Sequence, residues 1–181
     1  FMKDDFKNIV STDWLEQHLE APDIRIIDSS WYFPQEKRNA EQEFLECHIP
    51  GASFFDIDKI KDNKSDLPHM LPPSEMFNST VRKLGIGDGH KVVIYDGLGM
   101  RSAARLWWMF KVFGYSDVVV LDGGFPKWVK ENRSITADLT EKEIRHLTVF
   151  EDKSIVADRD DVLRATKLSH CSIIDARSEG R

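Results

Sequence analysis

Short, dense apolar runs alternate along this chain with stretches whose apolar residues recur every three or four positions. The runs Ile24–Asp28, Lys91–Tyr95 and Val118–Leu121 are too short for helices and rich in β-branched residues, which predicts buried strands. The periodic stretches predict helices. The first opens at Ser11-Thr12-Asp13, whose side chains suit an N-cap, carries Trp14, Leu15 and Leu19, and ends before Pro22. A second is capped by Ser74, runs through Met76, Phe77, Val81 and Leu84, and closes at Gly85. The third is capped by Ser102 and shows one stripe, Ala103, Leu106, Trp107, Phe110 and Phe113, before Gly114. After the Gly123-Gly124 turn, Phe125 to Glu131 predicts a short helix. His48 to Ala52 reads as a turn leading into a short strand over 53–56. Two stretches have no period: Ser29 to about Glu41, polar and aromatic, and Lys59 to Pro73, broken by Pro68, Pro72 and Pro73. Both read as loops.

Strands of four to six residues alternating with helices predict an α/β domain with a central parallel sheet and helices on both faces. Residues 135–154 carry few apolar positions and read as a linker. Beyond them the opening pattern returns. Val156-Ala157-Asp158 with Val162 and Leu163 echoes Val10-Ser11-Thr12-Asp13 with Leu15, and Ile173-Ile174-Asp175 repeats Ile26-Ile27-Asp28 as a further strand. The expected organisation is a first domain over 8–134, a linker over 135–154, and over 155–181 the start of a tandem second copy.

The 181 residues are 41% hydrophobic and 31% charged, ample for a globular core. No apolar run approaches the roughly 18 residues of a membrane span. The amino terminus is acidic where a secretory signal would be basic, so a cytoplasmic protein without a membrane partner is expected. A net charge of −6, spread along the chain without a basic stripe, argues against nucleic acid. It does not exclude a small anionic substrate, since one arginine can dominate its own pocket. Two cysteines, Cys47 and Cys171, make neither a disulfide framework nor a metal quartet. No metal-ligand spacing and no cofactor motif appears. Gly85-Ile86-Gly87-Asp88-Gly89 resembles half a dinucleotide fingerprint but follows a helix and precedes a strand, the wrong order.

In open parallel sheets, ligands gather beyond the carboxyl ends of the strands. Asp28, Asp96, Asp122 and Asp175 fall there. The most informative segment is Asp96-Gly97-Leu98-Gly99-Met100-Arg101-Ser102, a strand feeding a glycine-bearing loop and then a helix amino terminus. Backbone N–H groups in such a turn converge on one point and favour an anion. A thiolate enzyme would place its cysteine at the start of that loop. This chain has Asp96, a carboxylate that fills the anion site itself and is a poor sulfur nucleophile. Cys47 and Cys171 lie outside the loop and read as ordinary small residues. The Trp107-Trp108 pair reads as core packing.

Three separated motifs in order carry a resemblance: His48-Ile49-Pro50-Gly51-Ala52; Tyr95-Asp96 with Trp107-Trp108-Met109-Phe110; and Leu121-Asp122-Gly123-Gly124-Phe125 with Trp128. Together they resemble the amino-terminal half of tandem rhodaneses, from about Val10 to Arg181. The resemblance implies a rhodanese-like three-layer fold whose first unit has lost the catalytic cysteine that the second keeps. Asp96, Gly97, Gly99 and Arg101 then form a degenerate active-site loop. It further implies transfer of sulfane sulfur from a small anionic donor, 3-mercaptopyruvate or thiosulfate, through a cysteine persulfide to a thiol or cyanide acceptor. Leu67-Pro68-His69-Met70-Leu71-Pro72 looks like the mercaptopyruvate sulfurtransferase version of its segment. There a histidine and an upstream aspartate, matched here by His69 and Asp58, assist from the first unit. Chemically, a carboxylate orients an imidazole that moves protons; a loop histidine beside a surface aspartate is the plainer reading. Arg181 matches the arginine that grips the donor's anionic group, for which a guanidinium fork is suited. A solvated arginine is its plainer reading, and Arg177 its structural neighbour. The resemblance leaves two competitors: a catalytically inactive rhodanese-like binding or regulatory domain, and, further off, a phosphatase related by fold.

Overall fold

The computed structural model describes residues 8–148 and 150–175. The chain divides into two compact units, with the boundary along the sequence between Glu151 and Asp152.

In the first unit, β1 (Ile9–Val10) leads through the Ser11 cap into α1 (Thr12–Gln17), where the Ser11 hydroxyl accepts from the Trp14 N–H at 3.1 Å. Then follow β2 (Ile24–Asp28), α2 (Ala40–Glu46), β3 (Ser53–Phe54), α3 (Ser74–Lys83), β4 (Lys91–Tyr95), α4 (Ala103–Val112), β5 (Val118–Leu121) and α5 (Gly124–Lys130). The five strands form one parallel sheet in the order β1-β5-β4-β2-β3. The register Ile27↔Ile94 and Asp28↔Tyr95 brings the carboxyl ends of β2 and β4 level.

Strand residues alternate between the faces, and each face has its own core. Val92 and Ile94 of β4 pack with Phe77 and Val81 of α3 and with Leu106 and Phe110 of α4. Val93 and Tyr95 pack on the other side with Leu15 of α1, Phe44 of α2 and Trp128 of α5. This is the expected three-layer arrangement. Because both faces are covered, Val92–Tyr95 of β4 and all of β5 are continuous buried runs rather than alternating ones, whereas β2 carries Arg25, whose guanidinium donates to the Gly85 carbonyl at 2.9 Å.

Several local expectations are corrected. The stretch read as loop from Ser29 contains a 3₁₀ turn (Pro34–Glu36) and runs into α2. That helix is capped by Asn39, whose Oδ1 accepts from the Gln42 N–H at 3.0 Å. Only Phe44 of α2 is buried, so no apolar stripe announces it. The N-cap of α3 is Pro73, with Ser74 as its first helical residue. Ser102 occupies the N-cap position of α4 but makes no capping bond.

Residues 136–148 lack regular secondary structure, yet they are tied to the first unit. Thr136 bridges His48, Thr148 bonds Asp88, the Arg145 carbonyl accepts from Arg82 at 2.8 Å, and Leu147 is buried in the α3/α4-side core.

The second unit, described over 152–175, holds a 3₁₀ turn (Lys153–Ile155) and α6 (Arg159–Ala165), opened by an Asp158/Asp161 capping box. Ile173-Ile174-Asp175 is not a strand, contrary to expectation. A strand is completed by ladder partners, and the described part of this unit offers it none.

Candidate functional site

The register of β2 and β4 sets two buried carboxylates side by side, Asp28 ending one strand and Asp96 following the other. Asp96 is 1% exposed, and its side chain is the centre of the loop after β4. Its Oδ1 accepts from the Leu98 N–H at 2.9 Å, and its Oδ2 accepts from the N–H groups of Arg101 at 2.6 Å and Ala103 at 2.8 Å. The loop can fold back in this way because Gly99 and Met100 take positive φ, +84° and +75°. The last of those bonds is the cap of α4. Ser102 itself has helical backbone angles, φ −79° and ψ −23°, rather than the extended ones of a capping residue, and its hydroxyl is buried without a partner. Three converging N–H groups around one anion form the cradle inferred from the sequence, with the anion supplied by the chain itself.

Asp28 is tied to the same loop. Its Oδ1 accepts from the Ser30 N–H at 2.8 Å and the Ser30 hydroxyl at 2.5 Å, and the Ser30 oxygen accepts from the Gly97 N–H at 2.8 Å. Burial pushes the Asp28 carboxyl up to about 6, against the pull of the Ser30 bonds and the Tyr95 hydroxyl and with some help from Asp96.

Beside this loop lies a cavity of about 210 Å³ lined by Asp28, Tyr32, Arg38, Glu43, Cys47 and Phe125, among others. Its cation is spoken for: Arg38 pairs with Glu43 at 2.7 Å, donates to the Tyr32 hydroxyl at 2.8 Å and stacks on the Tyr32 ring. Burial and the neighbouring Glu43 push the Tyr32 phenol well above its ordinary range, so it stays neutral. Cys47 lines this cavity together with Glu43 and Glu46. Gly97 is closed off as well, since a Cβ there would lie 2.1 Å from the Tyr32 hydroxyl.

The second cluster is built on the long loop before α3. His69 and Asp58 meet: the imidazole Nε2 lies 2.6 Å from Asp58 Oδ1. A carboxylate only accepts, so the bond places a proton on Nε2 and turns Nδ1 away from Asp58. Asp58 is fixed from two sides. Its backbone N–H donates to Asp56 Oδ1 at 2.9 Å, and its Oδ2 accepts from the Trp31 indole N–H at 3.1 Å. The Trp31 ring also meets His69 edge-on, with centroids 5.0 Å apart. His69 keeps 28% of its side chain exposed, enough for a ligand to reach.

Arg101 of the cradle loop connects the clusters. Its guanidinium lies 4.4 Å over the Phe33 ring and pairs with Glu36 at 3.2 Å, and Phe33 packs edge-on against Trp31 at 4.9 Å. Sequence reading missed Trp31. Its only signal was a run of three aromatics, Trp31-Tyr32-Phe33, in a stretch without period just past a strand end. Arg181 and Arg177 lie outside the described residues. Among the described residues no acidic, histidine and cysteine cluster forms a metal site, and no helix is long and apolar enough to cross a membrane. Trp107 and Trp108 are half-buried against the α3/α4-side core, and the Trp107 indole donates to the Val118 carbonyl at 3.0 Å.

A doubly covered parallel sheet, with an anion cradle between β4 and α4, defines a class of α/β domain built to hold a negative group at one loop. Residues 11–131 match the model of the rhodanese-like domain, and the chain belongs to that family. A thiosulfate/3-mercaptopyruvate sulfurtransferase, named as mitochondrial, from Arabidopsis thaliana is 55% identical over 120 residues, covering 66% of this chain and 32% of the relative. The 3-mercaptopyruvate sulfurtransferase of Rattus norvegicus is 38% identical over 182 aligned positions, covering 97% of this chain and 61% of its own. Among solved structures, SseA of Escherichia coli, a 3-mercaptopyruvate sulfurtransferase, superposes with a TM-score of 0.88 at 38% identity, covering 95% of this chain and 66% of that one. The chain thus spans at most about three fifths of the length of these curated relatives. Sulfur transfer is the activity for which these relatives are named.

Proposed function

We propose that this chain is the first, nucleophile-free unit of a two-unit sulfurtransferase, with residues 155–181 beginning the second unit. The reaction moves sulfane sulfur from 3-mercaptopyruvate or thiosulfate, through a cysteine persulfide in that second unit, to a thiol or cyanide. The observation that carries the proposal is the assembled Asp58–His69 pair beside a cradle whose anion site Asp96 already fills.

With 3-mercaptopyruvate, the cysteine thiolate attacks the donor sulfur, the carbon–sulfur bond breaks, and pyruvate leaves as its enolate. The thiol proton of the donor must end on the enolate carbon. His69 Nδ1 accepts that proton and returns it, while Asp58 keeps Nε2–H pointed away and steadies the imidazolium. Arg181 holds the donor carboxylate. No electron acceptor is needed, because the sulfur oxidised in the persulfide balances the carbon reduced in pyruvate.

The test is turnover of 3-mercaptopyruvate by the full-length protein, with His69→Ala against wild type. A loss of at least about tenfold in kcat/KM is expected, the low end of a general acid–base contribution. Unchanged turnover refutes the role of His69. The 181-residue chain alone should show no cyanolysis. A non-enzymatic binding domain is favoured by one observation, the absence of a thiol from the cradle. A coding sequence that continues past Arg181 into a second strand-to-helix loop bearing cysteine decides against it. A cytoplasmic location belongs to the proposal and is tested by fractionation; recovery with mitochondria, as the plant relative's name describes, would overturn it.

A further inference from the structure

Arg105 lies in the first turn of α4, half-buried, and among the described residues it pairs with no carboxylate. Stripping a guanidinium of water without an ionic partner costs free energy, so its remaining contacts call for an explanation. Nη2 donates to the His69 carbonyl at 2.5 Å, the guanidinium carbon lies 4.6 Å over the Trp108 ring, and Nε is buried without a partner. The residue it grips is itself unusual. His69 has φ +55°, in the left-handed region that a non-glycine residue occupies at a cost of roughly 1 kcal/mol. Such a backbone persists only where its surroundings hold it. The loop over 59–73 is also held by the Asp62 N–H on the Met70 carbonyl at 3.1 Å and by Ile60 and Leu71 against the core, and the Arg105 bond is the contact from α4 on the His69 backbone itself. At φ +55° the imidazole reaches Asp58; an extended backbone at the same position would swing the ring elsewhere.

We propose that Arg105 is a positioning residue for His69: its guanidinium fixes the His69 carbonyl and the left-handed turn that aims the imidazole at Asp58. The cysteine-free loop takes part at one remove. Asp96 caps the Ala103 N–H, two residues before Arg105, and so sets where α4 starts and where the guanidinium is presented. The loop that has no nucleophile thereby still holds the proton-carrying group in place.

This inference rests on the reading of His69 as a proton carrier, and its test separates the two. In the full-length protein, Arg105→Met keeps the length and packing on Trp108 while removing the donors, and Arg105→Lys restores a cation and a donor. Arg105→Met should lower kcat/KM for 3-mercaptopyruvate about tenfold, as small misplacements of a catalytic group do, with partial recovery in Arg105→Lys. In a His69→Ala background the same change should cost less than about twofold, because the two residues act through one group. The ¹⁵N resonances of the His69 imidazole should move in Arg105→Met. Equal fractional losses in both backgrounds, or an unmoved imidazole spectrum, overturns the inference. If His69→Ala keeps full turnover, the catalytic reading falls, and the spectrum still decides whether the clamp exists.

Discussion

Removing the Asp96 carboxylate tests the cradle directly. Asp96→Ala leaves three N–H groups without their acceptor, those of Leu98, Arg101 and Ala103. The Ala103 donor is buried and cannot turn to water, so it carries the full desolvation cost of about 2–3 kcal/mol for losing a charged acceptor. Leu98 and Arg101 are part-buried and recover some hydration, at about 1 kcal/mol each. The loss should therefore come to about 4–5 kcal/mol, a large share of the roughly 5–15 kcal/mol that holds a domain folded. Asp96→Asn retains one carbonyl oxygen and should lose about half as much, since its amide cannot accept from the remaining donors. Urea unfolding followed by tryptophan fluorescence measures both. An Asp96→Ala chain within about 1 kcal/mol of wild type would mean that Asp96 is not the anion the loop is folded around.

Asp28→Asn should change how stability depends on pH. The folded-state carboxyl is raised to about 6, so its contribution is present below the unfolded value near 3.8 and is lost as pH rises through 6. At about 1.4 kcal/mol for each pH unit, wild type should lose roughly 3 kcal/mol relative to Asp28→Asn between pH 3.5 and 7.5, and parallel curves would refute this. Gly124→Ala should destabilise by at least about 1–2 kcal/mol, because φ is +56° and the new Cβ would lie 2.6 Å from the Asp96 carbonyl; an unchanged urea midpoint argues against that backbone. Trp31→Phe keeps the ring edge but removes the N–H that Asp58 Oδ2 accepts, and should lower full-length turnover by about 1 kcal/mol of transition-state free energy, roughly fivefold. If Trp31→Phe raises KM alone, the indole touches the donor rather than the pair.

What could be read beforehand follows from burial. β2, β4 and β5 match the apolar runs end to end because both sheet faces are covered and nearly every position is buried, Arg25 and Lys91 being the partly exposed ones. β1 has only two residues and α2 buries only Phe44, so neither left a periodic trace. The cradle was legible because a strand, glycines and a helix start lie in one short segment, and the acidic residue at its head had a single chemical use. The approach of His69 to Asp58 was not, since nothing in local spacing brings the two ends of an irregular loop together; the resemblance supplied it. Trp31 and Arg105 were opaque for the same reason. Their partners lie 27 and 36 residues away, across elements whose packing no local pattern encodes. Ser102 misled because the rule that a hydroxyl before a helix caps it assumes an extended backbone there, and the Asp96 loop brings Ser102 in with helical angles instead.

Leu147 gives the boundary of this domain a practical meaning. A polypeptide stopped where the apolar periodicity ends, near residue 134, would fold around an empty slot beside α3 and α4 and leave Asp88 and Arg82 reaching for partners that are no longer there. A transplanted or duplicated copy would inherit the same vacancy. The heritable module, in the sense of a piece that closes its own core, therefore extends past the last helix of the sheet and includes a strand-free tail that looks dispensable.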